Sequence, residues 1–275
     1  MKNLKFEGES REQEKKYNPN NEGIISVFRH GEKNSDGSLS ESGFAQARKI
    51  GEKTERMGRI VKDYGSPMKR TQDMAREMSE NLVQKEVVNL DTGEPIKGEK
   101  YQSRVRNEFS WMVKGKTGQF MEKDWFELAK EYPEKPLEVY LNFGEKRPDP
   151  DTLSPKEMAS RVAKVLFDQI RMIGRLKPGS KVNLADASHT PVLDIFVLIA
   201  FKDQIEQDPI NPEGKTLVEK MGGMFKTADG FEVKAKTDSE GNLSAKVFFR
   251  GKKYNIDLND FEKLANFYKE EKQEN

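Results

Sequence analysis

Three short apolar runs are separated by longer segments in which apolar residues recur every three or four positions. The runs are rich in β-branched residues and are bounded by turn formers, which predicts β-strands: IISVF at 24–28, RIVKDY at 59–64 and KVNLADAS at 181–188. The segments between them have the spacing of a buried helix face, as in Phe44, Ala47 and Ile50. This alternation predicts an α/β fold, namely a three-layer, mostly parallel, doubly wound sheet.

Capping residues indicate where the predicted helices begin. Ser40 precedes the first helical segment, and Ser66 followed by Pro67 has the pattern of an N-cap with proline at the first helical position. Ser154 and Glu157 form the pattern of a capping box before a long amphipathic segment. We therefore expect three helices with their N-termini fixed by side chains.

The C-terminal part of the chain has a different pattern. Polar and apolar residues alternate in FEVKAK, LSAKVFFR and KKYNIDL, and SEGN at 239–242 predicts the hairpin turn between the first two. We interpret this region as a small antiparallel β-meander, an appendage closed by a helix over NDFEKLANFYKEEK. The segment LVEKMGGMFKT before it has no phosphate-loop pattern and is interpreted as a linker.

These patterns predict the domain organisation. We expect a flexible arm at 1–22, an α/β domain at 23–210 with an insertion at about 85–153, and the meander with its helix at 218–275.

Composition narrows the function classes. The chain has 48 Lys and Arg against 47 Asp and Glu, so no overall field favours nucleic acid or membrane as a partner. Its mean hydropathy of -0.87 is that of a strongly solvated protein. It has no cysteine, which excludes disulfides, a thiolate nucleophile and a Cys-ligated zinc. We expect a cytoplasmic protein.

The chain has two histidines, and each directly follows a predicted strand. His30 follows IISVFR and His189 follows KVNLADAS, so both lie where ligands bind in parallel sheets, at the carboxyl ends of the strands. Phosphoryl transfer needs a nucleophile, cationic donors and an acid. Arg29 adjoins His30, and Arg70 lies in the first turn of a predicted helix, where backbone N–H groups also favour an anion. Together these residues predict a phosphoryl site.

The same residues resemble the histidine phosphatase superfamily, also called phosphoglycerate mutase-like. The resemblance runs over residues 24–205 through four ordered blocks: Arg29-His30-Gly31-Glu32, LSESG at 39–43, Ser66-Pro67-Met68-Lys69-Arg70-Thr71, and Ser188-His189. It implies that His30 is the nucleophile and carries a phosphohistidine, and that Arg29, Arg70 and His189 hold the phosphoryl oxygens. Ser66 is expected to cap its helix and, in second place, to contact the phosphate.

The resemblance also implies a catalytic acid on a segment between the second and last blocks. Glu108 in VRNEFSW is the best match for this proton donor. Glu122, Asp124 and Glu127 lie in the same region and stay alternatives, with Glu32 behind them.

Two departures from the family pattern bear on the activity. The Trp-Asn pair that cofactor-dependent mutases carry after the first block is missing from EKNSDGSLSESG, which favours a phosphatase over a mutase. We expect this phosphatase to be metal-independent and to use no cofactor. Thr190 stands where glycine usually follows the second histidine, as in more divergent phosphatases.

Alternative functions stay open on the sequence. A cofactor-dependent phosphoglycerate mutase would need bound 2,3-bisphosphoglycerate, and a non-catalytic phosphate-binding or scaffold module would keep the pocket without turnover. A metalloenzyme is disfavoured because such sites usually need three protein ligands. The substrate is expected to be a small phosphorylated molecule or a phosphoprotein, with the leaving group and the oligomeric state left open.

Overall fold

The computed structural model describes residues 17–54, 56–58, 60–82, 104–110, 127–133, 135–148 and 152–268. Within these ranges seven strands form one mixed sheet, accompanied by helices and one 3-10 turn. The strands are β1 (Glu22–Arg29), β2 (Ile60–Gly65), β3 (Arg104–Val105), β4 (Lys181–Ser188), β5 (Gly230–Thr237), β6 (Leu243–Phe249) and β7 (Lys252–Ile256). The helices are α1 (Glu41–Gly51), α2 (Lys69–Glu80), α3 (Pro136–Leu141), α4 (Pro155–Arg175), α5 (Val192–Ala200), α6 (Lys202–Gln207), α7 (Leu217–Lys220) and α8 (Leu258–Ala265), and the 3-10 turn is Asn107–Phe109.

The sheet combines a parallel half with an antiparallel half. Its strand order is β3-β2-β4-β1-β5-β6-β7. The three pairings from β3 to β1 are parallel, and the three from β1 to β7 are antiparallel. The predicted α/β fold is confirmed, with the parallel strands at its core. The antiparallel meander is also found, and it continues the same sheet because β5 pairs directly with β1.

Side chains of β4 alternate between two apolar clusters because successive residues of a strand point to opposite faces. Val182 and Leu184 belong to the larger cluster, to which α4 contributes Val162, Leu166 and Ile170. Ala185 and Ala187 belong to the smaller cluster, to which α2 contributes Met74 and Met78. Helices therefore pack on both faces of β4.

The capping predictions are confirmed at two helices and wrong at a third. Ser40 accepts a hydrogen bond from the Gly43 N–H at the start of α1, and Ser154 and Glu157 form the reciprocal capping box of α4. The helix after β2 does not begin at Pro67. It begins at Lys69 with Met68 as N-cap, although the Ser66 hydroxyl oxygen still accepts from the Met68 N–H at 3.2 Å.

The predicted linker contains a short helix. The α7 helix lies within LVEKMGGMFKT, and a capping box formed by Thr216 and Glu219 fixes its start. The linker interpretation missed this helix because four residues are too few to show helical periodicity.

Residues 17–21 of the predicted arm are bound to the domain. The Asn21 side chain is fully buried and donates a hydrogen bond to the Leu176 carbonyl, while Asn18 bonds the same carbonyl. Residues 1–16 lie outside the described part, as does most of the predicted insertion. In the part that the structure describes, no helix is long and apolar enough to cross a membrane.

Candidate active site

The residues that directly follow the three neighbouring parallel strands β1, β4 and β2 lie close together. In the register of the sheet Arg29 lies beside Ser188 and Gly65 lies beside Ala187. The residues that come next are His30, Ser66 and His189, so all three emerge at the same edge of the sheet. The structure thus brings together three of the predicted site residues.

His30 is oriented by its own backbone. Its Nδ1 lies 2.7 Å from the Gly31 carbonyl oxygen, so this nitrogen carries the proton and donates. The lone pair of the neutral ring is therefore on Nε2. Burial, together with the positive charges of Arg70, Arg29 and Lys33, lowers the pKa of His30 to about 4, although the Gly31 hydrogen bond acts in the opposite direction. At neutral pH the ring is therefore uncharged, with its proton on Nδ1 and its lone pair on Nε2.

His189 packs against His30 and is completely buried. The two ring centroids are 5.1 Å apart and the ring planes meet at 66°. Burial lowers the pKa of His189 well below its usual value, and His30 and Arg70 lower it further. Its Nε2 lies 2.7 Å from the Ser66 hydroxyl oxygen.

Ser66 lies beneath His189 and not at the surface of the site. Its side chain has no exposed area, and its oxygen also contacts Thr71 Oγ1 at 2.9 Å and accepts from the Met68 N–H at 3.2 Å. The Thr71 hydroxyl in turn donates to the Met68 carbonyl at 2.7 Å. Ser66 therefore joins the start of α2 to the imidazole of His189.

Arg29 is held at both its main chain and its side chain by the segment before β5. Its N–H donates to the Asp229 carbonyl at 2.8 Å, and its Nη1 donates to the Phe225 carbonyl at 2.6 Å. Among the described residues, no acceptor lies within hydrogen-bond distance of its buried Nε. Burial lowers the pKa of Arg29, and the carboxylates of Asp194 and Asp229 oppose that effect.

Arg70 closes the site from the side of α2. Its Nη1 donates to the Gly37 carbonyl at 3.4 Å, in the loop that follows His30. Lys33 in that loop is a further cation that lowers the pKa of both histidines, and the sequence interpretation missed it. Its position three residues after His30 was the available signal.

Glu108 lies in a turn that is tied to the strand ends. The neighbouring Phe109 carbonyl accepts from the Ser188 hydroxyl at 2.7 Å, and the Arg106 N–H donates to the Gly65 carbonyl at 2.8 Å. Arg161 of α4 donates to the carbonyls of Asn107 and Ser110 at 2.7 and 2.8 Å. Glu108 itself is half-buried at the edge where β2 and β4 end.

The other candidates for the catalytic acid are either exposed or lie outside the described residues. Glu122 and Asp124 lie outside the described residues. Glu127 is exposed at the start of a helical stretch at 127–131. Glu32 is exposed and its carboxylate accepts from Gln46 at 3.4 Å.

Two buried carboxyl groups near the site were also missed. Asp194 in α5 accepts from the Phe225 N–H at 2.7 Å, and burial raises its pKa to about 7. Asp186 in β4 accepts from Gln169 at 3.1 Å, and burial raises its pKa to about 8. The signal was a single acidic residue within each apolar run. Within the described ranges no three His, Asp or Glu side chains are grouped as a metal site.

Comparisons with known proteins agree with the sequence pattern. Residues 25–93 match the family model described as the histidine phosphatase superfamily, branch 1, which confirms the predicted resemblance over that part of the chain. The matched residues include Arg29, His30, Ser66 and Arg70, whereas Glu108 and His189 lie beyond them. No curated protein matches the chain.

Solved structures that match the chain include three described as hydrolases or phosphatases. A mycobacterial protein described as hydrolase 1 has a TM-score of 0.47 at 14% identity, covering 83% of this chain and 98% of its own. A mycobacterial glucosyl-3-phosphoglycerate phosphatase has a TM-score of 0.45 at 14% identity, with the same coverage. The phosphoserine phosphatase of Entamoeba histolytica, in complex with 3-phosphoglyceric acid, has a TM-score of 0.44 at 12% identity, covering 86% of this chain and 98% of its own. Likenesses at these TM-scores carry no conclusion about substrate.

Proposed function

We propose that this chain, whose residues 25–93 match the histidine phosphatase superfamily, hydrolyses phosphate monoesters through a phosphohistidine on His30. The observation that carries the proposal is the hydrogen bond between His30 Nδ1 and the Gly31 carbonyl at 2.7 Å. It fixes the proton on Nδ1 and leaves Nε2 as the nucleophile, in a ring that the lowered pKa keeps neutral.

Cationic groups around His30 support binding of the phosphoryl group. Arg29 and Arg70 both act electrostatically on His30, and a guanidinium matches the oxygens of a phosphoryl group in two parallel hydrogen bonds. The same charges stabilise the trigonal transition state, in which negative charge spreads over three oxygens.

His189 serves in this proposal as a neutral hydrogen-bond donor. The Ser66 hydroxyl has one proton and two acceptors in reach, His189 Nε2 at 2.7 Å and Thr71 Oγ1 at 2.9 Å. In this proposal the proton goes to the imidazole nitrogen, which is the closer partner and the stronger base. A ring that accepts at Nε2 carries its proton on Nδ1. Ser66 thereby selects the tautomer in which His189 donates from Nδ1 to a phosphoryl oxygen.

Glu108 is the proposed proton donor. The assignment is supported by the hydrogen bonds that tie its turn to Ser188 and Gly65, at the carboxyl ends of β4 and β2. In the first step His30 Nε2 forms a bond to phosphorus, the ester O–P bond breaks, and the leaving oxygen takes the Glu108 proton. In the second step the Glu108 carboxylate takes a proton from water, the water oxygen bonds to phosphorus, and the His30 N–P bond breaks to release phosphate.

No metal takes part in either step of this mechanism, since the cationic side chains carry the charge stabilisation. We also propose the three-layer, doubly wound description of the fold, supported by the packing of α4 and α2 on opposite faces of β4.

Replacement of His30 tests the function. His30→Ala is expected to abolish hydrolysis of p-nitrophenyl phosphate while the circular dichroism spectrum and thermal unfolding stay those of a folded protein. Retention of full activity by His30→Ala would refute the proposal. Tight vanadate binding without hydrolysis of any phosphate ester would instead indicate a binding module, and isomerisation of 3-phosphoglycerate would indicate a mutase.

A further inference from the structure

Arg250, in the hairpin between β6 and β7, contacts the segment that binds the Arg29 side chain. Arg250 lies in the two-residue turn between β6 and β7 and extends toward the segment at 221–229. Its Nη1 donates to the carbonyls of Met221 and Gly223, both at 2.8 Å, and its Nη2 donates to the Met224 carbonyl at 3.1 Å. One guanidinium thus binds three carbonyl groups of this segment.

Further contacts fix the same guanidinium. It forms an ion pair with Asp229 at 2.5 Å. Its Cζ atom lies 5.4 Å from the ring centre of Phe225 and 4.7 Å from that of Phe249. The rings of Phe225 and Phe249 are themselves stacked, with centroids 5.0 Å apart. Arg250 therefore packs on an aromatic pair while its donors bind the backbone beside it.

Phe225, on which Arg250 packs, is also the residue that binds the Arg29 side chain. The Phe225 carbonyl accepts from Arg29 Nη1 at 2.6 Å and from the Thr190 hydroxyl at 3.3 Å, and the Phe225 N–H donates to Asp194 at 2.7 Å. Asp229, the ion-pair partner of Arg250, accepts from the Arg29 N–H through its carbonyl. The path from Arg250 to Arg29 therefore passes through only one intervening residue.

The backbone of Arg250 indicates that its side chain has a use beyond the turn. Arg250 has φ of 46° and Gly251 has φ of 80°, the pattern of a hairpin turn in which both central residues have positive φ. Asn or Gly is favoured at the first of these positions, and a long side chain there is disfavoured. Arg250 therefore occupies a turn position that is locally unfavourable for it, and from that position its side chain contacts the segment that binds Arg29.

We propose that Arg250 is a positioning residue for phosphoryl binding: it fixes the Phe225 carbonyl and thereby the Arg29 guanidinium. This inference rests on the proposed function of Arg29 as a phosphate ligand. It gives the antiparallel half of the sheet a part in the site that is formed by the parallel half.

One substitution in this turn removes the contacts of Arg250 without disfavouring the turn itself. Arg250→Asn places a residue that favours positive φ in the turn and removes every contact of the guanidinium. We expect it to lower kcat/KM for p-nitrophenyl phosphate, and the affinity for inorganic phosphate, by about tenfold. Arg250→Lys keeps the charge without the planar fork and is expected to fall between wild type and Arg250→Asn. Lys252→Ala removes the ion pair between half-buried Lys252 and exposed Asp208 and leaves the Arg250 contacts in place, so it is the matched control with unchanged activity.

A double-mutant cycle with Arg29→Met distinguishes positioning from a general structural effect. If Arg250 acts through Arg29, Arg250→Asn changes phosphate affinity by less than about twofold once Arg29 is Met. The same tenfold loss in both backgrounds, or no loss in wild type, would overturn the inference. If Arg250→Asn unfolds, Arg250→Lys carries the cycle.

Calorimetric titration with inorganic phosphate provides the cycle without any turnover. A wild-type protein that hydrolyses no phosphate ester would refute the proposed function, and the phosphate affinities would still decide the role of Arg250.

Discussion

The Ser66 hydroxyl oxygen lies 2.7 Å from Nε2 of His189, and both side chains are fully buried. A neutral imidazole has one donor and one acceptor, so the proposed donation from Ser66 to Nε2 places the His189 proton on Nδ1. In the proposed mechanism Ser66 thereby controls what His189 presents to a ligand, even though Ser66 has no exposed surface of its own.

Loss of this contact should impair phosphate binding. Ser66→Ala removes the donor to Nε2, so the two tautomers of His189 become mixed and we expect kcat/KM to fall by about 10- to 100-fold, by analogy with lost orienting contacts at metal-bound histidines. Unfolding should also become easier by about 1–3 kcal/mol, because a buried acceptor is left unsatisfied. Nitrogen NMR of the imidazole reads the tautomer directly. An Nδ1-protonated His189 with wild-type kinetics in Ser66→Ala would contradict this role, and Ser244→Ala on the exposed face of β6 is the control.

The proton donor should be visible through its dependence on the leaving group. Glu108→Gln cannot donate a proton, so hydrolysis of an alkyl phosphate should fall by about 10²- to 10⁴-fold, whereas p-nitrophenyl phosphate, which needs little protonation, should lose much less. Glu127→Gln is the matched control at an exposed glutamate. Equal losses on both substrates for Glu108→Gln, or a selective loss for Glu127→Gln, would assign the acid elsewhere.

The value of kcat/KM should begin to fall only at unusually low pH. Burial and the neighbouring cations lower the pKa of His30 to about 4, so the nucleophile stays neutral and kcat/KM persists down to that pH. Arg70→Met removes one of these cations, so the pKa of His30 and the acid limb should both move upward. Wild type and variant are compared on one substrate, so that the ionisation of the substrate cancels. An acid limb near pH 6.5 in wild type would contradict the buried, cation-flanked His30.

Folding should depend on pH through Asp186. Its folded-state pKa of about 8 is above the unfolded value of 3.8, so the folded state binds more protons between these values. The stability that this group contributes is complete below pH 3.8 and is lost as pH rises through 8. Asp186→Asn should remove up to about 1.4 kcal/mol per pH unit from the slope of unfolding free energy against pH in this window. Urea unfolding at pH 5 and pH 7, both inside this window, measures the slope, with the half-exposed Asp168→Asn as control. An unchanged slope in Asp186→Asn would refute the assignment.

Local patterns predicted the part of the site that depends on strand ends. Arg29, His30 and His189 were predictable because each follows an apolar run, and parallel strands bring their carboxyl ends to one edge. Ser40 and Ser154 were predictable as caps because capping is a contact within four residues of sequence.

Contacts between distant segments could not be predicted in the same way. The bond between Ser66 and His189 spans 123 positions, whereas the local pattern around Ser66 indicated only a contact with the start of the next helix. Phe225 is separated from Arg29 by 196 positions and presents only its main chain, which leaves no signature in the side-chain sequence. Arg250 could have drawn attention as an arginine before Gly251 in a hairpin turn, but its target is defined only by the folded sheet.

The identity of the residue phosphorylated during turnover tests the central claim most directly. The protein is mixed with a ³²P-labelled aryl phosphate and quenched in alkali, where phosphohistidine survives, and the labelled peptide is sequenced by mass spectrometry. We predict a label on His30 that acid releases and that His30→Ala lacks. A label on any other residue, or turnover by His30→Ala at the wild-type rate, would contradict the account.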